Sequence, residues 1–336
     1  MTSLDNKTIL VTGGTGSFGL FIVNRLLKLG VREVRILSRD EKKHYDMRRH
    51  FSNEKRLKLI TGDIRDAKRV AQAMTGCEVV FQAAALKHVL NCELHPYEAV
   101  QTNVVGVQNV IDAAINAGVE KFITVSTDKA VKPVNIMGMT KAVQEKLVIA
   151  ANLLPNNNGT RFSCVRYGNV MSSRGSAIPL FRSLIDSGKP ITITHPDMTR
   201  FLLTLDDAID LVMYTVENMQ GGETFIKKAP STKIVDLARA ICVQKGVPFT
   251  CKDIGMFPGE KLHEILISEE ELPRAKDLST YFVVQPWWND VRLKEATVEY
   301  SSANEVLTSM EDIIALLNHS DAEFEANGLK DAVFLK

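Results

Sequence analysis

The sequence lacks long apolar runs, any low-complexity segment or internal repeat, and an excess of charge of either sign. Its 336 residues carry 41 lysines and arginines against 40 aspartates and glutamates, which gives a formal charge of +1. No apolar run approaches the roughly 20 residues of a membrane span, and the N-terminus has no apolar signal segment. This balance gives no support for a polyanion-binding surface, although it leaves room for a local basic pocket. We therefore expect a cytoplasmic protein that binds neither nucleic acid nor a membrane.

Cysteines are few and scattered, and none forms a CxxC pair. The five are Cys77, Cys92, Cys164, Cys242 and Cys251. An odd number without regular spacing fits neither a disulfide framework nor a zinc site. We expect reduced thiols and no bound metal.

The first half of the chain alternates apolar runs with helical patterns, which is typical of a parallel sheet covered by helices on both faces. The predicted strands are Thr8 to Thr12, Glu33 to Ser38, Leu57 to Thr61, Glu78 to Ala83, Phe122 to Ser126 and Phe162 to Tyr167. The main predicted helices are Phe18 to Leu29, Pro96 to Ala117 and Asn135 to Ala151. The pattern predicts an α/β fold with a Rossmann-like, doubly wound parallel sheet.

Beyond about residue 170 this alternation stops, and proline and glycine become frequent. We interpret residues 1–170 as a Rossmann domain and residues 171–318 mainly as a smaller substrate-binding lobe. Residues from about 205 to 235 are expected to return to the first domain. The polar residues 319–336 are predicted to form a C-terminal extension.

A glycine-rich turn lies between the first predicted strand and the first predicted helix. It reads Thr12-Gly13-Gly14-Thr15-Gly16-Ser17-Phe18-Gly19. Glycines at this spacing permit a tight turn, close backbone approach to a pyrophosphate and close packing of helix on strand. The helix N-terminus then attracts the anion. A glycine turn alone is weak support, but strand, turn and helix in this order indicate a dinucleotide site.

The end of the second strand favours NADP over NAD. Ser38 and Arg39 occupy the position where a carboxylate would accept the ribose 2′-hydroxyl of NAD, and Lys42 and Lys43 follow one turn later. Asp40 complicates this interpretation, and the basic residues are alternatively a solvated helix face. We predict NADP as the cofactor, with NAD as the less favoured choice.

Four sequence blocks, with the GxxGxxG spacing, resemble the extended short-chain dehydrogenase/reductase family. They read Ala83-Ala84-Ala85-Leu86-Lys87-His88-Val89, Ser126-Thr127-Asp128-Lys129-Ala130, Arg166-Tyr167-Gly168-Asn169-Val170 and Pro258-Gly259-Glu260-Lys261-Leu262-His263-Glu264. More narrowly, the blocks resemble UDP-N-acetylglucosamine 4,6-dehydratases of bacterial polysaccharide synthesis. The similarity runs from about residue 7 to about residue 305, and it is to the short, soluble branch that inverts carbon 5.

The resemblance implies an internal redox cycle. NADP⁺ takes a hydride from carbon 4 of the sugar, water leaves across carbons 5 and 6, and the hydride returns to carbon 6. A proton is added to carbon 5 from the opposite face, which gives a UDP-2-acetamido-2,6-dideoxy-hexos-4-ulose of the L-arabino type. The implied partner is UDP-N-acetylglucosamine or a close UDP-sugar.

The resemblance also implies further cofactor contacts. Asp63, after the third strand, is placed to accept a hydrogen bond from the adenine amino group, although a helix N-cap is the alternative. Ile64, Ala83 and Ala84 would line the dinucleotide. Lys141 would contact the nicotinamide ribose, unless it is a solvent-facing helix lysine.

Four positions resemble the substrate contacts of these dehydratases. Lys87 follows the fourth strand, and Asn169 and Arg200 are expected to reach the diphosphate and uridine, with an ion pair as the alternative for Arg200. Glu260 is expected to hold the ribose hydroxyls. The relatives commonly have arginine where this chain has Phe257, so one cation for the pyrophosphate is missing.

Asp128 and Lys129 are the expected acid and base of the elimination. A buried, protonated carboxyl can give a proton to the departing 6-hydroxyl, and a desolvated lysine can take one from carbon 5. Thr127 is expected to be a polar neighbour of the sugar. A surface ion pair or a loop cap is the alternative for the two charged residues.

Met137 stands where the family usually has its active-site tyrosine, four residues before Lys141. A thioether has no titratable proton and accepts hydrogen bonds only weakly. The 4-hydroxyl proton must then leave through Lys129, Lys141 or an ordered water. Alternatively, the protein is an NADP-sensing binding protein without turnover.

Other reactions fit parts of the pattern. A UDP-sugar 4-epimerase would not need the Asp128 and Lys129 pair, and a 5,6-dehydratase would stop at the alkene. Amphipathic helices after the fourth and fifth strands predict a homo-oligomer, either a dimer or a hexamer.

Overall fold

The computed structural model describes residues 3–52, 54–173, 175–289, 298–307 and 309–327. In chain order its strands are β1 (Thr8–Thr12), β2 (Glu33–Ser38), β3 (Leu57–Thr61), β4 (Val79–Gln82), β5 (Lys121–Val125), β6 (Arg161–Arg166), β7 (Asn169–Val170), β8 (Ile191–Ile193), β9 (Thr199–Leu203), β10 (Thr224–Lys227), β11 (Ser231–Lys233), β12 (Cys251–Asp253), β13 (Ile265–Ile267), β14 (Ala275–Asp277), β15 (Tyr281–Val284) and β16 (Tyr300–Ser301). Its α-helices are α1 (Ser17–Lys28), α2 (Glu41–His50), α3 (Ala67–Met74), α4 (Val89–Leu94), α5 (Pro96–Val100), α6 (Gly106–Ala117), α7 (Ile136–Ala150), α8 (Ala177–Asp186), α9 (Leu205–Asn218), α10 (Ile234–Lys245) and α11 (Met310–Ala326).

A nine-stranded sheet forms the centre of the molecule, in the order β14-β15-β10-β6-β5-β4-β1-β2-β3. The pairings from β10 to β3 are parallel, and β15 and β14 add antiparallel strands at one edge. The chain order reverses between β1 and β4, which is the crevice where open α/β sheets bind ligands. The predicted Rossmann-like α/β class is confirmed.

Helices cover both faces of this sheet. On one face, α1 and α9 bury Phe21 and Val212 against the strands, and on the other face α3 and α6 bury Val70 and Val110. The strands of the sheet centre are buried along nearly their whole length because both of their faces are covered.

The smaller lobe contains short sheets and three helices. Strands β7, β9 and β11 form one sheet, β8 pairs with β12, and β13 pairs with β16. Helices α8, α10 and α11 pack around Phe181, Ile241 and Leu317. Since β7 follows the carboxyl end of β6, and β6 runs parallel to β1, the lobe begins at the same end of the strands as the glycine turn.

The predicted strands β1, β2 and β3 have the expected bounds, and β4 to β6 differ by one residue at their ends. The predicted helix Pro96 to Ala117 is wrong as one regular helix, because a π-helical turn over Gln101–Val105 separates α5 from α6. Asn103 lies in this turn and binds both backbone polar groups of Leu86, as well as Thr140. These bonds tie the segment after β4 to the helices that follow it.

Parts of the second half of the chain lie against the main sheet. Helix α9 packs on α1, and β10 pairs with β6. Strands β14 and β15 also join this sheet, which the sequence did not predict. Helix α11 runs across residue 319, and residues 328–336 of the predicted extension lie outside the described residues. The division of the chain at residue 170 stays a prediction.

None of the helices in the described part of the chain combines the length and apolarity needed to cross a membrane.

Candidate active site

The glycine turn joins β1 to α1 at the crevice of the sheet. Gly13 has φ +67°, and a Cβ there would lie 2.7 Å from Cα of Ala84 on the neighbouring strand end. A Cβ on Gly19 would overlap the carbonyl of Gly14, so this position must also be glycine. Around Gly16, by contrast, the nearest atom to a Cβ would be 3.8 Å away. The turn is tight at two positions and open at the third.

Helix α1 begins directly at this opening. Gly16 is its N-cap and offers no side chain to cap it, and Ser17 and Phe18 form its first turn. The first amides of a helix have no partner within the helix, and they lie at the positive end of its dipole. This end of α1 can therefore bind a phosphate group.

The strand ends beside the turn complete the dinucleotide crevice. Ala83 and Ala84 follow β4 and donate their amides to the carbonyl and hydroxyl oxygens of Thr12. The hydroxyl groups of Thr15 and Ser38 lie 2.9 Å apart. Ile64 is buried beneath the crevice. The predicted cofactor residues thus converge, although this proximity does not test their roles.

The basic residues after β2 have different partners. Asp40 is the N-cap of α2, where it accepts the amide of Lys43 at 3.0 Å and pairs with the Lys43 ammonium at 3.3 Å. The backbone hydrogen bond from Lys43 holds the pKa of Asp40 below its usual value. Arg39 and Lys42 stay exposed at the crevice. The carboxylate of Asp40, which complicated the NADP prediction, is therefore bound to the first turn of α2.

Asp63 is not a helix N-cap, because Asp66 caps α3. Its carboxylate instead accepts hydrogen bonds from Arg65 at 2.7 and 2.9 Å, and Arg39 lies 3.4 Å away. Burial opposes the ionisation of Asp63, but the hydrogen bonds from Arg65 outweigh it and lower the pKa. Its Oδ1 also accepts the amide of Arg65 at 2.9 Å, so Asp63 caps the turn after β3 although it does not cap α3. The contact with adenine stays a prediction.

A buried ionic cluster lies where the chain leaves β5. Asp128 is fully buried, and its Oδ1 accepts hydrogen bonds from Thr127 at 2.8 Å and from the Lys129 ammonium at 3.0 Å. The ammonium also lies 3.1 Å from Oε1 of Glu264 and 3.3 Å from Oδ1 of Asn169. Oδ2 of Asp128 and Oε2 of Glu264 have no hydrogen-bond partner among the described residues. The cluster thus offers two buried carboxylate oxygens to a ligand.

The electrostatics of this cluster are uneven. Burial raises the pKa of Asp128, an effect that Lys129 opposes and Glu264 reinforces. Burial lowers the pKa of Lys129, but the charges of Asp128 and Glu264 outweigh it, so the pKa is raised. A protonated Asp128 fits the expected acid. The expected base needs a neutral Lys129, which this arrangement disfavours, because two carboxylates hold the ammonium form.

Arg200 and Lys261 extend the cluster. Nε of Arg200 lies 3.9 Å from Glu264, and the same guanidinium donates to the carbonyl groups of Thr199 and Leu262. Nζ of Lys261 lies 3.8 Å from Oε2 of Glu264. Arg200 is buried and touches a carboxylate, so the alternative of an ion pair describes its present contacts.

The other two predicted substrate residues lie in segments before α4 and before Glu264. Lys87 is exposed in the segment between β4 and α4. Glu260 accepts the amide of Phe257 at 2.9 Å, and Phe257 itself is exposed. These contacts hold the turn before Glu264, and the roles of Lys87 and Glu260 in binding stay predictions.

Lys141 and Met137 lie one turn apart on α7 and are both buried. The Lys141 ammonium donates to the carbonyl of Val125 at 2.6 Å and to Gln144 at 2.8 Å. Burial lowers its pKa to about 8. Met137 packs in a small apolar cluster with Cys92, so no hydroxyl replaces the missing phenol at that position. Lys141 is a buried helix lysine and not the solvent-facing one of the alternative.

Glu264 is the residue of this site that sequence reasoning missed. It ends the block that begins at Pro258, so its resemblance to the family was visible. Its distance along the chain from Lys129 concealed the contact between them. The signal that the sequence offered was a carboxylate inside a matched block, at a site with two cations whose partners were not explained.

The comparison with protein families decides the affiliation of the chain. A family described as polysaccharide biosynthesis protein matches residues 9–286, which include the glycine turn, the Asp128 cluster and Glu264. The chain belongs to this polysaccharide biosynthesis family. The predicted resemblance is confirmed at this level.

Two similar proteins match this chain over nearly its whole length. An uncharacterized membrane protein of Methanocaldococcus jannaschii is 45% identical over 319 residues, which are 93% of this chain and 95% of that protein. A protein of Rickettsia akari named UDP-glucose 4-epimerase is 44% identical over 326 residues, again 93% of this chain and 95% of the relative.

Solved structures show the same architecture. Pen from Bacillus thuringiensis superposes with a TM-score of 0.88 at 36% identity, over 94% of this chain and 99% of Pen. The dTDP-glucose 4,6-dehydratase DesIV from Streptomyces venezuelae, with NAD and TYD bound, gives a TM-score of 0.69 at 18% identity, over 95% and 99% of the two chains. The second likeness shows the fold alone. The polysaccharide biosynthesis family member thus shares its fold with nucleotide-sugar epimerases and dehydratases.

Proposed function

We propose that the protein is a UDP-N-acetylglucosamine 4,6-dehydratase that inverts carbon 5. The observation that carries this proposal is the buried carboxyl of Asp128, hydrogen bonded to Lys129 and with one oxygen left for a ligand. Eliminating water needs an acid for the departing hydroxyl and a base for carbon 5. A 4-epimerase, whose hydride leaves and returns at carbon 4, needs no such pair.

The dinucleotide that we propose is NADP. The open position at Gly16, the uncapped start of α1 and the exposed Arg39 and Lys42 fit a pyrophosphate and a 2′-phosphate. DesIV binds NAD, so the phosphate preference rests on this chain's own residues. When bound, the nicotinamide accepts a hydride from carbon 4 and returns it to carbon 6. Asp63, Ile64, Ala83 and Ala84 would line the adenosine half and Lys141 the ribose.

Replacing Arg39 by aspartate is expected to weaken NADP⁺ binding about 10- to 100-fold, because one charge-assisted hydrogen bond to the 2′-phosphate is lost. NAD⁺ binding should stay constant or improve. Fluorescence titration with both nucleotides measures the two affinities. Lys252→Glu, a charge change at an exposed position on β12, is the control. Equal losses for NADP⁺ and NAD⁺ would show that Arg39 does not read the 2′-phosphate.

We propose that Asp128 and Lys129 work as one proton-sharing pair. Their hydrogen bond is 3.0 Å long, and moving one proton along it converts carboxylate and ammonium into carboxylic acid and amine. The acid can then protonate the departing 6-hydroxyl, and the amine can take the proton of carbon 5. In this proposal Lys129 becomes a base by giving a proton to Asp128, whereas the sequence led us to expect an isolated, desolvated lysine. Thr127 and Asn169 would hold the two side chains in position through their hydrogen bonds.

Lys141 is our proposed acceptor of the 4-hydroxyl proton. With its pKa lowered to about 8, its neutral amine is accessible near neutral pH without proton transfer to a partner carboxylate. Met137 cannot take a proton, and its thioether packs away from polar groups in the cluster with Cys92. The carbonyl of Val125 and the amide of Gln144 would keep Lys141 at the end of β5.

Replacing Met137 by tyrosine is expected to leave turnover intact or to raise it, because a phenol beside Lys141 supplies a second proton route. The larger ring in a packed cluster should cost about 1–3 kcal/mol of the free energy of unfolding. Steady-state turnover and urea unfolding measure the two effects. Ala150→Tyr, at the exposed end of α7, is the control and should change neither. A fall in turnover of more than about tenfold in folded M137Y would contradict the proposal.

The second candidate is a UDP-sugar 4-epimerase, favoured by the name of the Rickettsia akari relative. Incubation with UDP-N-acetylglucosamine and mass measurement of the product separates the candidates. Loss of one water indicates a dehydratase, an unchanged mass with a new sugar configuration indicates the epimerase, and no reaction indicates a sensor. Proton NMR then distinguishes the methyl doublet of the 6-deoxy product from the vinyl signals of a 5,6-alkene.

We also propose that the protein is a homo-oligomer. Helices α4, α5 and α7 carry exposed apolar side chains that need cover, namely Leu90, Leu94, Tyr97, Met139 and Val143. A dimer formed through these helices would bury them. Light scattering on the purified protein measures the mass and separates a monomer, a dimer and a hexamer.

A further inference from the structure

We propose that Glu264 is a positioning residue that fixes the Lys129 side chain against Asp128 and keeps a proton on Asp128 up to higher pH. The inference rests on the proposed function for its meaning in turnover. The proton on Asp128 itself can be observed without any turnover.

The geometry around Lys129 supports this role first. An ammonium group has three N–H donors. Three acceptors lie around Nζ, at 3.0 Å on Asp128, 3.1 Å on Glu264 and 3.3 Å on Asn169. Glu264 thus takes one donor and fixes the direction of the other two, one of which points to Asp128.

Glu264 is itself held in place from two sides. The amide of Glu264 donates to Oγ of Ser302 at 2.9 Å, and the amide of Ser302 donates to the carbonyl of Glu264 at 2.8 Å. Its side chain is 2% exposed, and Arg200 and Lys261 lie 3.9 and 3.8 Å from its carboxylate. A buried carboxylate with this support has no freedom to leave Lys129.

The charges explain where the proton resides. Two carboxylates share one ammonium, and like charges in one buried site oppose each other's ionisation. Burial opposes the ionisation of Glu264, but Lys129 and the additional cations Arg200 and Lys261 outweigh it and lower the pKa of Glu264. Asp128 therefore carries the shared proton. On α7, which packs against Asp128, the amine of Lys141 is bound to Val125 and Gln144.

The test is Glu264→Gln, which keeps an oxygen for Lys129 and removes the negative charge. Infrared difference spectra, taken against Asp128→Asn in the same background, follow the protonated carboxyl band of Asp128 as pH rises. We expect this band to disappear at lower pH in E264Q than in wild type. The pH profile of kcat should move in the same direction, with an activity loss of about tenfold on its basic side and recovery at lower pH.

Two variants make the result decisive. Glu223→Gln removes a buried carboxylate that binds Ser163 and Gly221 outside the cluster, and it should leave both pH dependences unchanged. Lys261→Met removes a cation beside Glu264, so it should move them to higher pH, and it tests the same charges if E264Q does not fold. An Asp128 band that titrates alike in wild type and both cluster variants overturns the inference. A normal band shift without loss of water from UDP-N-acetylglucosamine would instead refute only the proposed function.

Discussion

Asp128→Asn is expected to lower turnover about 10²- to 10⁴-fold while the protein stays folded. Asparagine keeps the shape of the side chain and an oxygen for Thr127 and Lys129, but it has no acidic proton for the departing hydroxyl. Loss of water from UDP-N-acetylglucosamine, followed by mass measurement, gives the rate. Isotope exchange at carbon 5 reports separately whether Lys129 still removes the proton.

The stability of this variant has a predicted sign. Because the pKa of Asp128 is raised in the folded protein, the folded state binds a proton that the unfolded chain releases above its ordinary pKa. Rising pH through that window therefore favours unfolding, and the asparagine variant escapes this loss. Its melting temperature at neutral pH should equal or exceed that of wild type. Asp236→Asn, paired with Arg239 on α10, is the activity control, and near-normal turnover of D128N would exclude Asp128 as the acid.

The sequence predicts the centre of the fold well because local signals agree there. Continuous apolar runs form β1 and β2 within their expected bounds, and the glycine turn follows β1 as its spacing requires. Asp40 caps α2, a helix that we did not predict, by accepting one of its first amides. In each case a few neighbouring residues determine the structure.

The sequence fails where distant segments determine the structure. Strands β14 and β15 are short. Strand β15 joins the sheet by antiparallel pairing with β10, which lies much earlier in the chain, and β14 pairs with β15. The π-helical turn over Gln101–Val105 is likewise invisible, because an apolar helical pattern does not mark one extra residue.

The candidate site divides in the same way. Asp128 and Lys129 are neighbours in the chain, so their pairing could be predicted from their order. The raised pKa of Lys129 depends on the charges of Asp128 and Glu264, and Glu264 lies far along the chain from Lys129. The prediction of Lys129 as an isolated base therefore could not include this contact. Chemistry that depends on the sum of buried charges needs the tertiary structure.

Arg166→Met is expected to cost about 3–5 kcal/mol of the free energy of unfolding, because it leaves two carboxylates without their cation. Arg166 on β6 is buried and binds Glu145 of α7 at 2.6 Å and Glu271 at 2.8 Å. It also donates to the carbonyl of Leu266 at 2.8 Å. Urea unfolding measures the loss, and Arg239→Met, at an exposed i,i+3 pair on α10, should cost little by comparison.

The pH dependence of this loss identifies its cause. In wild type, burial opposes the ionisation of Glu271, but Arg166 outweighs it and lowers the pKa, so the ion pair stabilises the fold above the ordinary carboxyl pKa. In R166M this contribution is absent, and the gap to wild type should narrow as pH falls and the carboxylates are protonated. The triple variant with Glu145→Gln and Glu271→Gln should recover part of the loss. Since Leu266 lies two residues after Glu264, R166M should also loosen Glu264 and move the pH profile of turnover towards that of E264Q. A loss below about 1 kcal/mol, equal at all pH values, would show that the three charges do not act as one buried unit.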